Sequence, residues 1–128
     1  MNRIFIILFF ILLTGCTTIS SMLQLNTASY DGGEYEKATH LSATIKLQSS
    51  CTPSFINDLN AQSLELHLYS AAIPANTDVA KMEDDLDKVV AELVNHSRPI
   101  NATYCQEKLD ILDRMCSSIQ HVIGNKPR

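Results

Sequence analysis

Residues 52–74 read TPSFINDLNAQSLELHLYSAAIP, and they carry the signs of one complete helix. Thr52 is a residue type that caps helix N-termini, and Pro53 suits the first helical position because its missing N–H would be unpaired there anyway. Pro74 ends the segment. The apolar residues in between recur at helical spacing and predict one buried face, formed by Phe55, Leu59, Leu66, Tyr69 and Ile73.

A strand is the alternative for the middle of this segment, where Leu64, Leu66 and Leu68 alternate with other residues. The surrounding sequence is rich in Leu, Ala, Glu and Gln, which favour helix. We therefore predict a helix.

Three further segments show the same spacing, one before this helix and two after it. The first covers residues 34–50, ends near 51–53 and is expected to bury Ala38, Leu41 and Ile45. The next opens at 76–78 and presents Val79, Met82, Leu86, Val89 and Leu93. The last follows a break at 95–99 and presents Leu109, Leu112, Cys116, Ile119 and Ile123.

The polar residues and glycines of these segments carry their own expectations. The acidic run Glu83, Asp84, Asp85 and Asp87 is expected to point mostly to solvent. Asn101 or Ser97 can cap the last helix, and Asn101-Ala102-Thr103, which also matches a glycosylation acceptor, is interpreted as the start of that helix. Gly124 is expected to form a left-handed C-terminal cap before a short tail, residues 125–128.

The connections between the four helices are short, and short connections force neighbouring helices to run in opposite directions. The sequence therefore predicts an all-α fold, an antiparallel four-helix bundle, over residues 34–124. No internal repeat is apparent.

The cysteines allow one interhelical disulfide. Cys105 and Cys116 lie eleven positions apart on one helix, roughly 16 Å at 1.5 Å per residue, which is beyond the reach of a disulfide. In the predicted bundle the end of the first helix and the start of the last lie together, which favours a bridge between Cys51 and Cys105. Such a bridge would stabilise the fold by about 2–4 kcal/mol. Cys116 is expected to be a buried, unreactive side chain.

The N-terminus has the pattern of a lipoprotein signal. Residues 4–13 form an apolar run behind Asn2 and Arg3, which is too short to span a bilayer but fits a secretory signal. The run ends in Leu13-Thr14-Gly15-Cys16, which resembles the lipobox of bacterial lipoprotein precursors. The resemblance implies that residues 1–15 are cleaved and that Cys16 carries diacylglycerol and an N-linked acyl chain. No other cofactor is expected.

Residues 16–33 are rich in Ser, Thr, Asn and Gly and are interpreted as a lipidated, flexible tether. Thr17 and Thr18 follow the lipidated position, where an Asp would resemble an inner-membrane retention signal. We therefore expect the lipoprotein sorting machinery to deliver the protein to the periplasmic face of the outer membrane. Its acyl chains would hold it there, because each buried CH₂ contributes about 0.8 kcal/mol.

Two cysteine segments carry a further resemblance. A helix ends in Ile45-Lys46-Leu47-Gln48-Ser49-Ser50-Cys51, and Pro99-Ile100-Asn101-Ala102-Thr103-Tyr104-Cys105 opens the last helix. Together with the lipobox and tether, these segments resemble the PulS/OutS family of type II secretion pilotins over about residues 35–123. The chain has no Leu-Pro soon after Cys51, and Cys116 has no counterpart in the family pattern.

The resemblance implies a chaperone that binds the C-terminal segment of a secretin subunit and targets the subunit to the outer membrane. Recognition would place a helix of the partner in an apolar groove. Apolar residues beside the main buried stripes of the second and third helices are the candidates for the walls of that groove: Leu64, Leu68, Val90 and Val94. Ile45, on the buried stripe of the first helix, is the candidate for its floor. A broad buried face that absorbs all five is the competing interpretation.

Other functions have less support. The formal net charge is −4 and no basic cluster is present, so nucleic acid is not expected as a partner. No CxxC, HExxH, GxSxG or phosphate-binding loop occurs, and the histidines are scattered singly, so neither catalytic nor metal-binding residues are expected. The main alternative is an immunity or entry-exclusion lipoprotein that neutralises another protein, which the acidic third helix would suit.

Overall fold

The computed structural model describes residues 28–128, which form four helices and, within that range, no strand. The helices are α1 (Gly32–Lys46), α2 (Pro53–Ala71), α3 (Thr77–Asn95) and α4 (Ala102–Gly124). The all-helical prediction is confirmed. The predicted signal peptide, the predicted lipidation site Cys16 and most of the predicted tether lie outside the described residues.

The first helix begins two residues before the predicted start and ends four residues before the predicted end. Asp31 caps it, because its Oδ1 accepts a hydrogen bond of 2.8 Å from the backbone N–H of Glu34. That bond holds the pKa of Asp31 below its ordinary value. Because the Asp31 carboxylate caps the helix, α1 begins at Gly32. Gly32 and Gly33 belong to the segment that composition assigns to the tether.

Helices α2 and α4 start as the sequence predicts. The hydroxyl of Thr52 accepts the N–H of Phe55 at 3.2 Å, with Pro53 at the first helical position. Asn101 caps α4 by accepting the N–H of Tyr104 at 2.8 Å. The predicted left-handed cap at Gly124 is wrong, since Gly124 is the last helical residue and Asn125 follows as the cap without positive φ.

The helices surround one core. Helix α1 packs against α2 and α4, and α3 packs against the same two helices. The core includes the predicted residues of α1 and α4, together with Phe55, Leu59 and Leu66 of α2. The prediction is wrong for Tyr69, which is 36% exposed, and Ile73 is only partly buried. Cys51 and Cys105 form a disulfide with a Cα–Cα distance of 5.6 Å, which confirms the predicted bridge between the end of α1 and the start of α4.

The buried face of α3 corrects the prediction at two positions. Glu83 and Val90 are each 1% exposed, whereas Met82 and Val89, predicted on the central stripe, are only partly buried beside it. The buried face follows Val79, Glu83, Leu86, Val90 and Leu93. The acidic run is therefore not wholly turned to solvent.

The two ends of the described chain lie together. The backbone N–H of Tyr30 donates to the carbonyl of Pro127 at 2.8 Å, and the guanidinium carbon of Arg128 lies 5.2 Å from the centre of the Tyr30 ring. Ala28 is buried. Residues 125–128, predicted as a tail, are thus tied to the segment that precedes α1.

Candidate partner-binding site

An apolar hollow of about 320 Å³ lies between α3 and α4. Its apolar lining comes from Met82 on α3 and from Ile111 and Met115 on α4, while Asp85, Arg114 and Ser118 supply the polar part. We call the surface around this hollow the α3–α4 groove.

Helical spacing explains why the two walls are apolar. On α3, Met82 and Val89 are seven residues apart, which is two turns, so they lie on the same side of the helix. On α4, Met115 and Val122 have the same relation. All four are partly buried against the core. Each helix therefore has an apolar strip that flanks its fully buried stripe. Methionine suits such a surface because its flexible, polarizable side chain adapts to different contacts.

Charged groups surround the groove. The Asp85 carboxylate accepts a hydrogen bond of 2.8 Å from Lys88, which holds the pKa of Asp85 below its ordinary value. Arg114 lines the opposite wall. Lys108 of α4 pairs with Glu92 of α3 and bridges the two helices, and this hydrogen bond raises the pKa of Lys108. A partner helix would therefore meet apolar groups at the centre and charges of both signs at the edge.

The residues predicted to line a groove fall into two groups. Leu64 and Leu68 on α2 are 51% and 62% exposed, and Val94 on α3 is 37% exposed. Val90 is instead buried in the core, which corrects the prediction that it lines a groove wall. Ile45 is buried, as predicted for the main stripe of its helix. The reason for Val90 is its spacing, four residues after Leu86 and three before Leu93, which places it on the buried stripe.

The Met-lined hollow is absent from the sequence-based prediction. Met82 has an apolar side chain at helical spacing, so the sequence assigns it to the core. Whether α4 covers it completely depends on packing between helices, which no local pattern encodes. The local signal in the sequence is an adaptable methionine on each of the two helices that line the hollow, Met82 and Met115.

Cys116 is buried, and burial raises the pKa of its thiol to about 12. The thiolate, which is the reactive form, is therefore disfavoured. This agrees with the prediction of an unreactive core residue.

One cluster combines the residue types of a catalytic triad without its geometry. His67 Nδ1 lies 2.5 Å from Asp87 Oδ2, and the Ser63 hydroxyl donates to the other oxygen of Asp87. Because Ser63 bonds the carboxylate and not the imidazole, His67 is not placed to take its proton. The three residues instead join α2 to α3.

Residues 28–128 contain no group of three or more His, Cys, Asp or Glu side chains arranged to hold a metal ion. None of the helices in this range combines the length and the apolar character needed to cross a bilayer.

Comparison of the chain with protein-family models, with curated proteins and with solved structures found no match.

Proposed function

We propose that the protein is an outer-membrane lipoprotein chaperone, a pilotin, that binds the C-terminal segment of a type II secretion secretin subunit. The observation that carries this proposal is the apolar hollow between α3 and α4, lined by Met82, Ile111 and Met115. The lipobox at 13–16 and the cysteine segments that resemble the PulS/OutS family support it from the sequence.

The partner would be an amphipathic helix that folds on binding. Its apolar side chains, three or four residues apart, would enter the α3–α4 groove, and burial of apolar surface would offset the cost of ordering the segment. The edge of the groove favours a partner with a basic residue near Asp85 and an acidic residue near Arg114. Such pairs at the rim would chiefly select orientation.

We further propose that the four helices run in alternating directions. The disulfide joins the connection between α1 and α2 to the start of α4, and Tyr30, just before α1, bonds to Pro127, just after α4. Hydrogen bonds from Ser63 to Asp87 and from Ser70 to Glu83 pair later residues of α2 with earlier residues of α3. Both relations support an antiparallel bundle whose tether leaves from the end opposite the disulfide.

Anchoring completes the proposed function. Lipidated Cys16, delivered by the lipoprotein sorting machinery, would hold the domain on the periplasmic face of the outer membrane. A secretin subunit bound in the groove would then be brought to the membrane in which its ring assembles.

The test is binding of the purified domain starting at Thr17 to fluorescent peptides from the C-termini of secretins encoded in the same genome. We expect micromolar or tighter affinity, with an increase in peptide helicity. Met115→Asp should weaken binding by at least about tenfold, or about 1.4 kcal/mol, because it places a charge in the apolar hollow.

Leu68→Asp is the matched control, since Leu68 is exposed on α2 and does not line the hollow. Its affinity should equal that of the unaltered domain. If Leu68→Asp lost binding and Met115→Asp kept it, the result would show that the peptide binds at α2 and not in the α3–α4 groove. A folded, oxidised domain that binds none of the peptides would contradict the pilotin proposal.

An immunity or entry-exclusion lipoprotein is the second candidate. The exposed carboxylates of α3 favour it, because Asp78, Asp84 and Asp85 are more than half exposed and would suit a basic partner. However, Lys88 pairs with both Asp84 and Asp85, which reduces the charge that they present. Binding to a toxin encoded nearby, and to no secretin peptide, would support this candidate.

A further inference from the structure

Where the chain before α1 meets the chain after α4, five polar side chains form a buried cluster. Glu34 and Ser70 are 0% exposed, Glu83 is 1% exposed and Asn76 is 3% exposed, and the Lys126 side chain is 6% exposed. They come from α1, α2, the α2–α3 turn, α3 and the segment after α4. The cluster therefore connects every helix.

Each glutamate of the cluster has one hydrogen-bonded oxygen, but only Glu34 has an ammonium beside it. Asn76 Nδ2 donates to Glu34 Oε1 at 2.5 Å and to the Ser70 carbonyl at 3.1 Å. Lys126 donates to Asn76 Oδ1 and lies 3.9 Å from Glu34 Oε2. Glu83 accepts the Ser70 hydroxyl at 2.7 Å, and Oε2 of each glutamate has no hydrogen-bond partner within residues 28–128.

The charges do not balance if both glutamates are ionised. Lys126 is the cation of the cluster, and it also lies 3.8 Å from the exposed Asp78. An ionised carboxylate that is buried without a partner is strongly disfavoured. Because Lys126 lies beside Glu34 and not beside Glu83, the arrangement favours a Glu83 that keeps its proton. A protonated Glu83 also gains a donor.

The balance of influences on Glu83 also favours its protonated form. Burial is the largest influence and raises the pKa of Glu83 to about 8, while the Ser70 hydrogen bond opposes it. Glu34 and Asp87 raise this pKa further, and Lys126 lowers it. Asp87, in turn, is paired with His67 on α2.

We propose that Glu83 is a proton-operated latch that holds α3 against α1, α2 and the C-terminal segment. With the proton bound, the cluster contains one carboxylate and one ammonium and stays closed. Loss of the proton places a second negative charge beside Glu34, and this end of the structure loosens. Met82, the residue before Glu83 on α3, lines the α3–α4 groove, so the latch acts on one wall of that groove. The latch itself does not depend on the identity of the partner.

The test uses the full-length protein in mild detergent and measures urea unfolding by circular dichroism from pH 5 to pH 9. A carboxyl group whose pKa is higher in the folded state takes up a proton on folding, so stability falls as pH rises between its unfolded and folded pKa values. The folding equilibrium constant of the wild-type protein, divided by that of Glu83→Gln, should fall about tenfold per pH unit and level off above about pH 8. A flat ratio would overturn the proposal.

A second measurement needs no altered glutamate. The wild-type protein should show the infrared C=O stretching band of a buried protonated carboxylic acid at pH 6.5, and the band should disappear as pH rises through about 8. Lys126→Met should move that disappearance to higher pH, because Lys126 favours the ionised form of Glu83. Lys81→Met, at an exposed position of α3, should leave it unchanged. Absence of the band at pH 6.5 would overturn the latch.

Discussion

At the scale of single residues, the turn between α2 and α3 contains the one non-glycine residue of the described chain with positive φ. Ala75 has φ 60° and lies between Pro74 and the buried Asn76. A side chain in this left-handed region costs about 1–2 kcal/mol. This conformation of the turn places Asn76 in hydrogen-bonding distance of Glu34 and Ser70, and those bonds offset the strain.

Replacing Ala75 with glycine should stabilise the protein by up to about 1 kcal/mol, because removal of Cβ relieves the strain by more than the added freedom of the unfolded chain. Urea unfolding measures the change. Ala72→Gly is the matched control, since Ala72 has φ −80° and gains nothing from glycine. If both variants lose stability equally, Ala75 does not hold a left-handed conformation in solution.

At the scale of helices, the termini depend on individual capping side chains. Asn101 accepts the N–H of Tyr104 at the start of α4, four residues before the disulfide cysteine Cys105. The same helix supplies the Ile111 and Met115 wall of the α3–α4 groove. The cap therefore supports both the disulfide region and the candidate site.

Asn101→Ala should destabilise the protein by about 1 kcal/mol, because one N–H of the first turn loses its acceptor. Asn101→Asp should retain the stability of the unaltered protein, since a carboxylate accepts the same hydrogen bond and interacts favourably with the helix N-terminus. The thermal unfolding midpoints of the two variants, compared with the unaltered protein, test this prediction. Equal losses in both variants would show that the amide does not act as a cap.

The sequence predicts the helices better than it predicts their surfaces. Thr52 and Asn101 accept hydrogen bonds from residues three positions away, and Pro53 acts through its own backbone, so local sequence reveals them. The start of α1 is harder to see. A glycine pair at 32–33 is typical of a linker, but a Cβ at Gly33 would lie 2.5 Å from the Tyr69 hydroxyl, which is distant in sequence. Glu83 was misassigned for the same reason, because its burial depends on Ser70 and on the other helices.

At the scale of the whole molecule, the two interfaces of α3 differ in chemistry. Ser63, His67 and Ser70 join α2 to α3 through the carboxylates of Asp87 and Glu83. The interface with α4 contains the hollow lined by Met82, Ile111 and Met115. Directional hydrogen bonds fix the first interface, whereas the second consists largely of nondirectional contacts. The candidate site could not be predicted from the sequence because it arises where these apolar contacts remain incomplete.

The disulfide stabilises the whole molecule, since it links positions 54 residues apart. Replacing both Cys51 and Cys105 by Ser should lower the free energy of unfolding by about 2–4 kcal/mol, chiefly because the unfolded chain gains freedom. Urea titration measures the loss, and Cys116→Ala in the oxidised protein controls for the removal of a thiol from the core. An unchanged free energy of unfolding would contradict a stabilising role for the bridge.

The contact between Tyr30 and Pro127 has a consequence for the topology of the chain. Because the N–H of Tyr30 and the carbonyl of Pro127 are hydrogen-bonded, the backbone from residue 30 to residue 127 forms an almost closed ring. The exposed segment 47–50, between α1 and α2, is a second place where that ring could be opened. The same packing of the four helices is therefore compatible with a different order of the helices along the chain. The described domain is therefore suited to circular permutation, with residues 30 and 127 joined and new ends next to the disulfide.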